Sequence, residues 1–152
     1  MNKVVFITGA SRGIGRTTAI EFAKNGFDVA LTYFENEALA NEVKAEIEKL
    51  NSKCVVFQCD IACEQRVKEV VYQTIKQFGQ IDVLVNNASI AIDTLFLDKS
   101  IDDFKRVLDV NLVGTFIVSK IVGEFMLEKK CGKIINIAST NGINTYYPMC
   151  FD

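Results

Sequence analysis

The segment Val4-Val5-Phe6-Ile7-Thr8-Gly9-Ala10-Ser11-Arg12-Gly13-Ile14-Gly15 decides the fold. Val4 to Thr8 is an unbroken apolar run of strand length with no alternation of polar residues, which suits a strand covered on both faces and therefore central in a sheet. From Ile14 to Asn25 the apolar Ile14, Ala19, Phe22 and Ala23 recur at helical spacing, and Gly26 follows as a stop. Between strand and helix lies a glycine-rich turn. Glycine permits a tight turn and close backbone approach, and the first N–H groups of a helix lack intrahelical acceptors and sit at the positive end of its dipole. That combination favours a phosphate. The reading is a turn that cradles the pyrophosphate of a dinucleotide, with Gly9, Ser11, Arg12, Gly13, Ile14 and Gly15 as cofactor-binding residues. A turn of purely structural purpose is the alternative.

Outward from that segment the same rhythm continues. Asp28 to Tyr33 reads as a second strand, followed by a helix whose face carries Leu39, Val43, Ile47 and Leu50. Lys53 to Gln58 is a third strand, and Val67, Val70, Val71, Ile75 and Phe78 mark the buried face of the next helix, which Gly79 ends before a fourth strand at Ile81 to Asn86. Ser100 with Asp103 resembles a capping box and opens a long helix through Leu108, Leu112, Phe116 and Ile121 to about Lys130. Lys133 to Ala138 is a fifth strand, after which the chain is turn-rich and aperiodic. Strands alternating with helices define an α/β fold, a Rossmann-type doubly wound parallel sheet with five strands present and later strands missing. Residues 1–152 are expected to form a single, incomplete dinucleotide-binding domain, with no repeat beyond the βα unit and no linker legible.

Composition narrows the function. The 152 residues are 49% hydrophobic and 24% charged, with a net charge of -2 and no run of like charges, so neither nucleic acid nor an anionic membrane is an expected partner. The absence of histidine removes Ser-His-Asp and Cys-His catalysis and most zinc chemistry, and no metal site is expected. Five cysteines without a C-x-x-C pair suggest reduced thiols in a cytoplasmic protein. No secretory signal is legible at the N-terminus, and no segment reads as the ~20 apolar residues of a membrane span.

Four motifs in order, Thr8 to Gly15 with its G-x-x-x-G-x-G spacing, Asn86-Asn87-Ala88, Asn111 and Ser139, resemble the short-chain dehydrogenase/reductase family. The wording is most similar to the 3-oxoacyl-(acyl-carrier-protein) reductase and glucose-dehydrogenase-like branches of that family. The resemblance implies hydride transfer between a nicotinamide and a small-molecule carbonyl or alcohol, with a 3-oxoacyl-type reductase favoured. It places Asp60, with Ile61 beside it, at the adenine amino group, although an acceptor-only carboxylate here also suits the start of the next helix. Asn87 and Ala88 lie beside the adenine ribose in the family's Asn-Asn-Ala-Gly turn. Here the fourth residue is Ser89, whose Cβ would crowd the cofactor if a glycine conformation were required.

The cofactor choice turns on the ribose 2′ position. An acid at the end of strand two would accept from a hydroxyl and repel a phosphate, whereas arginine binds the phosphate. The chain has no acid there until Glu35, and a basic residue at the place of Arg12 goes with NADP in this family. NADP is therefore expected and NAD is the alternative. The resemblance also assigns catalytic roles: Ser139 to the substrate oxygen, and Asn111 to bending its helix and holding a water in a proton relay. The family's general acid is a tyrosine with a lysine four residues later, but Tyr146 and Tyr147 are followed at that distance by Cys150 and Phe151. A lone tyrosine titrates near ~10 and does not serve at neutral pH. The 152 residues are thus expected to be inactive by themselves.

Three readings stay open: part of a longer reductase, a non-catalytic nucleotide-binding module, or an interaction subunit completed by another chain. The little-charged Ile134-Ile135-Asn136-Ile137 run would form a sheet edge, so a homo-oligomer or aggregation is expected. Leu95, Phe96 and Leu97 either line a wall of the substrate site or pack beneath the long helix.

Overall fold

The computed structural model describes residues 2–140. Its elements in chain order are β1 (Val4–Ile7), α1 (Gly13–Lys24), β2 (Asp28–Tyr33), α2 (Glu37–Glu48), β3 (Cys54–Gln58), α3 (Glu64–Phe78), β4 (Val83–Asn86), α4 (Ile101–Leu108), a π-helical segment (Asp109–Gly114), α5 (Thr115–Glu128) and β5 (Lys133–Asn136). All strands pair in parallel, in the order β3-β2-β1-β4-β5, with Val4 opposite Asp28 and Val5 opposite Val83. The Rossmann-type arrangement expected from the strand–helix alternation is present, and β1 is central.

Successive residues of β1 point to opposite faces, and two cores follow from that. Val4 and Phe6 pack with Val67, Val70 and Val71 of α3 and with Val118, Ile121 and Val122 of α5. Val5 and Ile7 pack with Ala19 and Ala23 of α1 and with Ala40, Val43 and Ile47 of α2. All four β1 side chains are fully buried. Each contributes roughly 1.5–3 kcal/mol of apolar burial, which is why a run without polar alternation is stable only in this place.

At the N-terminal ends of the strands, carboxylates bind backbone amides. Asp28 Oδ1 accepts from Lys53 N–H at 2.8 Å, and Asp82 Oδ2 accepts from Val4 N–H at 2.7 Å. These acids hold the lower rim and leave the opposite end free for other chemistry. There the strand order matters. The chain moves outward from β1 through β2 to β3, then crosses back to place β4 on the other side of β1. The crevice at that reversal, above the carboxyl ends of β1 and β4, is where ligands bind in open α/β sheets.

Several periodicity assignments are corrected. Ile14 is 63% exposed and belongs to the crevice rather than to the buried face of α1. Leu50 lies beyond α2 and is exposed, and Ala40 takes the buried role on that helix. The long helix is continuous from Ile101 to Glu128 but contains the π-helical segment, whose wider turn shifts the apolar register. Val107, Val110, Gly114, Val118, Ile121, Val122 and Met126 are buried, whereas Leu108, Leu112 and Phe116 are exposed. By length and mean hydropathy, 1.5 in its most apolar window, this helix falls in the range of a membrane span, which the sequence reading had excluded. Here Val110, Val118, Ile121 and Val122 enter the core beneath the sheet. All four residues of β5 are exposed, so the expected edge is present among the described residues.

Candidate functional site

Three strand ends are joined by side-chain and backbone hydrogen bonds at the crevice. The Thr8 hydroxyl accepts from the N–H groups of Asn87 and Ala88, both at 3.0 Å. The Asn87 amide nitrogen donates back to the carbonyls of Thr8 and Gly9, also at 3.0 Å each. From the other side, Gly9 N–H donates to the Thr32 hydroxyl at 3.2 Å and Ala10 N–H to the Thr32 carbonyl at 2.8 Å. Thr8 and Thr32 are buried, so these bonds form away from water, where leaving the partners unpaired is costly. Neither threonine is among the expected site residues, although Thr8 opens the glycine-rich motif. Their signal is a hydroxyl-bearing β-branched residue at the carboxyl ends of two adjacent strands.

This stitching brings two backbones into contact. A Cβ on Gly9 would lie 2.8 Å from Ala88 Cα, and one on Gly15 would lie 2.5 Å from Asn87 Nδ2 and 2.7 Å from the Gly9 carbonyl. Gly15 therefore has a packing role under the turn and does not line the crevice. No side chain caps α1, whose first-turn amides have no intrahelical acceptor, and Arg12, Gly13 and Ile14 at its start line the crevice. Ser89 does not adopt the left-handed backbone conformation, so the serine in the place of the family's glycine is tolerated without strain.

The crevice has a volume of about 1000 Å³. Gly9, Ser11, Arg12, Gly13, Ile14, Asp60, Ile61, Asn87 and Ala88 all line it, so nine of the ten residues expected to bind cofactor converge there. Ile61 is nonetheless buried, with Gly114 packed so closely that a Cβ there would meet Ile61 Cγ1 at 2.7 Å. Asp60 lines the crevice and does not cap α3, whose N-cap Cys63 makes no side-chain capping bond. Its Oδ1 accepts from Ala62 N–H at 3.0 Å, in a turn that precedes α3, and its Oδ2 accepts from Arg106 Nη2 at 2.9 Å. Arg12 is exposed and forms no salt bridge among the described residues. Glu35 and Glu37 also line the crevice, and Glu37 adds to burial in raising the pKa of Tyr33.

Asn111 sits within the π-helical segment. Its Oδ1 accepts from Ile90 N–H and its Nδ2 donates to the Ile90 carbonyl, both at 2.9 Å. The amide thus clamps the loop after β4 to the long helix. Ser139 follows β5 and is exposed. It occupies the same end of the sheet as Asn86 and Asn87, though neither it nor Asn111 lines the crevice. Asn86 ties this end together by donating to Ser119 Oγ and Asn136 Oδ1 at 2.8 Å each. Leu95, Phe96 and Leu97 are 51%, 57% and 92% exposed, so they neither line the crevice nor pack beneath the helix. Tyr146, Tyr147, Cys150 and Phe151 lie outside the described residues.

Cys59 also lines the crevice. Burial pushes its thiol up to about 12, and burial does the same for Cys54. Cys63 and Cys131 are exposed, and all four are free thiols. The thiolate is the reactive species, so iodoacetamide at neutral pH is expected to modify Cys63 and Cys131 while sparing Cys54 and Cys59 in the folded protein. Peptide mass spectrometry checks this, and early labelling of Cys59 would contradict the burial.

A glycine turn over the amino end of a helix, beside an asparagine-stitched loop at the switch point of a 3-2-1-4-5 parallel sheet, defines a Rossmann-type fold with the site of a nucleotide-linked protein. The chain belongs to the short chain dehydrogenase family, whose sequence profile matches residues 3–151. It is 40% identical over 141 residues to the 3-oxoacyl-[acyl-carrier-protein] reductase of Synechocystis sp., an alignment covering 93% of this chain and 57% of the relative. It is 39% identical over 142 residues to the reductase of the same description from Staphylococcus epidermidis, covering 93% of this chain and 58% of the relative. Among solved structures, a short-chain type dehydrogenase/reductase from Mycobacterium marinum superposes with a TM-score of 0.93 at 31% identity, over 99% of this chain and 61% of that one. An NAD+-bound xylitol dehydrogenase superposes at 0.92 with 33% identity, over 97% of this chain and 56% of that one. The chain therefore spans somewhat over half the length of the relatives it matches.

Proposed function

We propose that the protein binds NADP in the crevice above β1 and β4 and belongs to a cytoplasmic, oligomeric oxidoreductase that reduces a small-molecule carbonyl, a 3-oxoacyl-type thioester being favoured by its likeness to the two reductases above. The observation that carries this reading is the convergence of the glycine turn, Asp60, Asn87 and Ala88 on one crevice with unpaired first-turn amides. A dinucleotide fits these residues. Gly13 and Ile14 offer first-turn amides without an intrahelical acceptor to a pyrophosphate, and Asp60 offers acceptors to an exocyclic amine.

Bound there, the nicotinamide supplies or accepts hydride. The chain's own residues bind and orient. The turn amides hold the pyrophosphate, Asp60 the adenine amino group, and Asn87 the shape of the turn. In the assembled site, Ser139 donates to the substrate oxygen, and Asn111 holds the helix and loop in register. Neither Tyr146 nor Tyr147 has a lysine four residues on. The 152 residues on their own are accordingly expected to bind dinucleotide without turnover.

Arg12 carries the preference for NADP, because it lines the crevice without an ion-pair partner among the described residues. Arg12→Ala is expected to weaken NADP binding by about tenfold or more, the value of one charge-assisted hydrogen bond, and to leave NAD affinity unchanged. Calorimetric titration of both dinucleotides tests it. Glu35 and Glu37, which line the same crevice, favour the opposite preference. Equal or tighter NAD binding by the unmodified protein would overturn the assignment.

A further inference from the structure

Three elements distant in sequence meet at the crevice. Phe34 follows β2, Asp60 follows β3 and Arg106 projects from α4, and all three line the cavity. The Arg106 guanidinium carbon lies 5.8 Å from the centre of the Phe34 ring, while Nη2 holds Asp60 Oδ2 at 2.9 Å across 46 positions of sequence. The Asp60 carboxylate is thus held on two sides, by Arg106 and by Ala62 N–H. A carboxylate on a strand-end loop has free χ rotation unless its oxygens are engaged. Two donors fix its plane while leaving each oxygen a further lone pair. Phe34 is 50% exposed and the Arg106 side chain 39% exposed, so both remain open to a ligand.

We propose that Arg106 is a positioning residue for base selection. It orients the Asp60 carboxylate against an exocyclic amine and braces Phe34, so that the site takes an amino-bearing purine and rejects a purine with a carbonyl at the same place. The chemistry is one-sided. An ionised carboxylate only accepts hydrogen bonds, so an exocyclic amine is matched and an exocyclic oxygen is repelled. Removing Arg106 leaves Asp60 with a single fixed oxygen. The carboxylate then rotates away, and matched and mismatched bases become similar. This inference rests on the dinucleotide reading above and adds a residue from α4 to it.

The test compares NADP with nicotinamide hypoxanthine dinucleotide phosphate, in which oxygen replaces the adenine amine, by calorimetry on the protein and its Arg106→Met and Arg106→Lys variants. The unmodified protein is expected to prefer the adenine form by about tenfold or more, as one hydrogen bond to a charged group requires. Arg106→Met is expected to reduce that ratio to within about threefold, and Arg106→Lys, which keeps a donor cation, to restore part of it. Thermal melts run alongside, because loss of stability alone lowers both affinities and leaves their ratio intact. An unchanged base ratio in Arg106→Met overturns the proposal. So does a change confined to the NADP-to-NAD ratio, which would make Arg106 a partner of the 2′-phosphate. If the unmodified protein binds no dinucleotide, the failure lies in the functional reading itself and not in the role of Arg106.

Discussion

Gly9→Ala is expected to destabilise the protein by roughly 2–5 kcal/mol and to abolish dinucleotide binding. Two terms add. Gly9 has φ of +64°, a left-handed conformation that costs an L-residue about 1–2 kcal/mol, and its Cβ would sit 2.8 Å from Ala88 Cα. That contact is with backbone, so relief requires the turn or the loop after β4 to move, at a further cost of about 1–3 kcal/mol. Gly13→Ala separates the terms, because Gly13 has φ of +55° but nothing within 4 Å of an added Cβ. It should cost only about 1–2 kcal/mol. Urea midpoints at equal slope measure both. A Gly9→Ala midpoint no lower than that of Gly13→Ala would show that the turn does not lean on Ala88.

The second large effect is expected at Asn111. Asn111→Leu removes both hydrogen bonds to Ile90 and leaves a half-buried N–H and carbonyl without partners, a loss of about 2–4 kcal/mol. For a chain of this size that lowers the melting midpoint by roughly 5–15 °C. Amide exchange adds a local signature, since Ile90 N–H should lose its protection while amides of β1 keep theirs until global unfolding. The Asn111→Asp variant keeps an acceptor for Ile90 N–H but sets a carboxylate oxygen against the Ile90 carbonyl, and should be no better than leucine. Unaltered protection of Ile90 in Asn111→Leu would remove the clamp.

Much of the fold was legible because its signals are local. Strand two was assigned to the residue, and the stops at Gly26 and Gly79 and the Ser100–Asp103 cap were found where expected. The long helix was harder. A single helical period puts Leu112 and Phe116 on its apolar face, but a π turn at Asp109–Gly114 changes the register partway and turns both outward. The membrane criterion failed in a different way. The apolar content of that helix meets it, and only the sheet shows which side chains are core.

At the site, the glycine turn and the asparagine turn were readable one at a time, and the structure adds how they hold each other. Thr32 and Arg106 belong to neither turn, and Thr8, though it opens the glycine-rich motif, shows none of its bonds to the other strand in the sequence. A hydroxyl that accepts two amides from another strand, and a cation that reaches a carboxylate 46 residues away, leave no periodic trace.

The order of strands and helices and the placing of the turn between β1 and α1 were determined by the sequence alone. Those properties depend on neighbours within a few residues, where chain geometry is nearly rigid. The convergence of Phe34, Asp60 and Arg106, the contact of Gly9 with Ala88, and the face that the long helix buries were decided only by tertiary structure. Each depends on which strands lie side by side after the crossover from β3 to β4. That choice is set by the packing of whole faces rather than by any single stretch of chain.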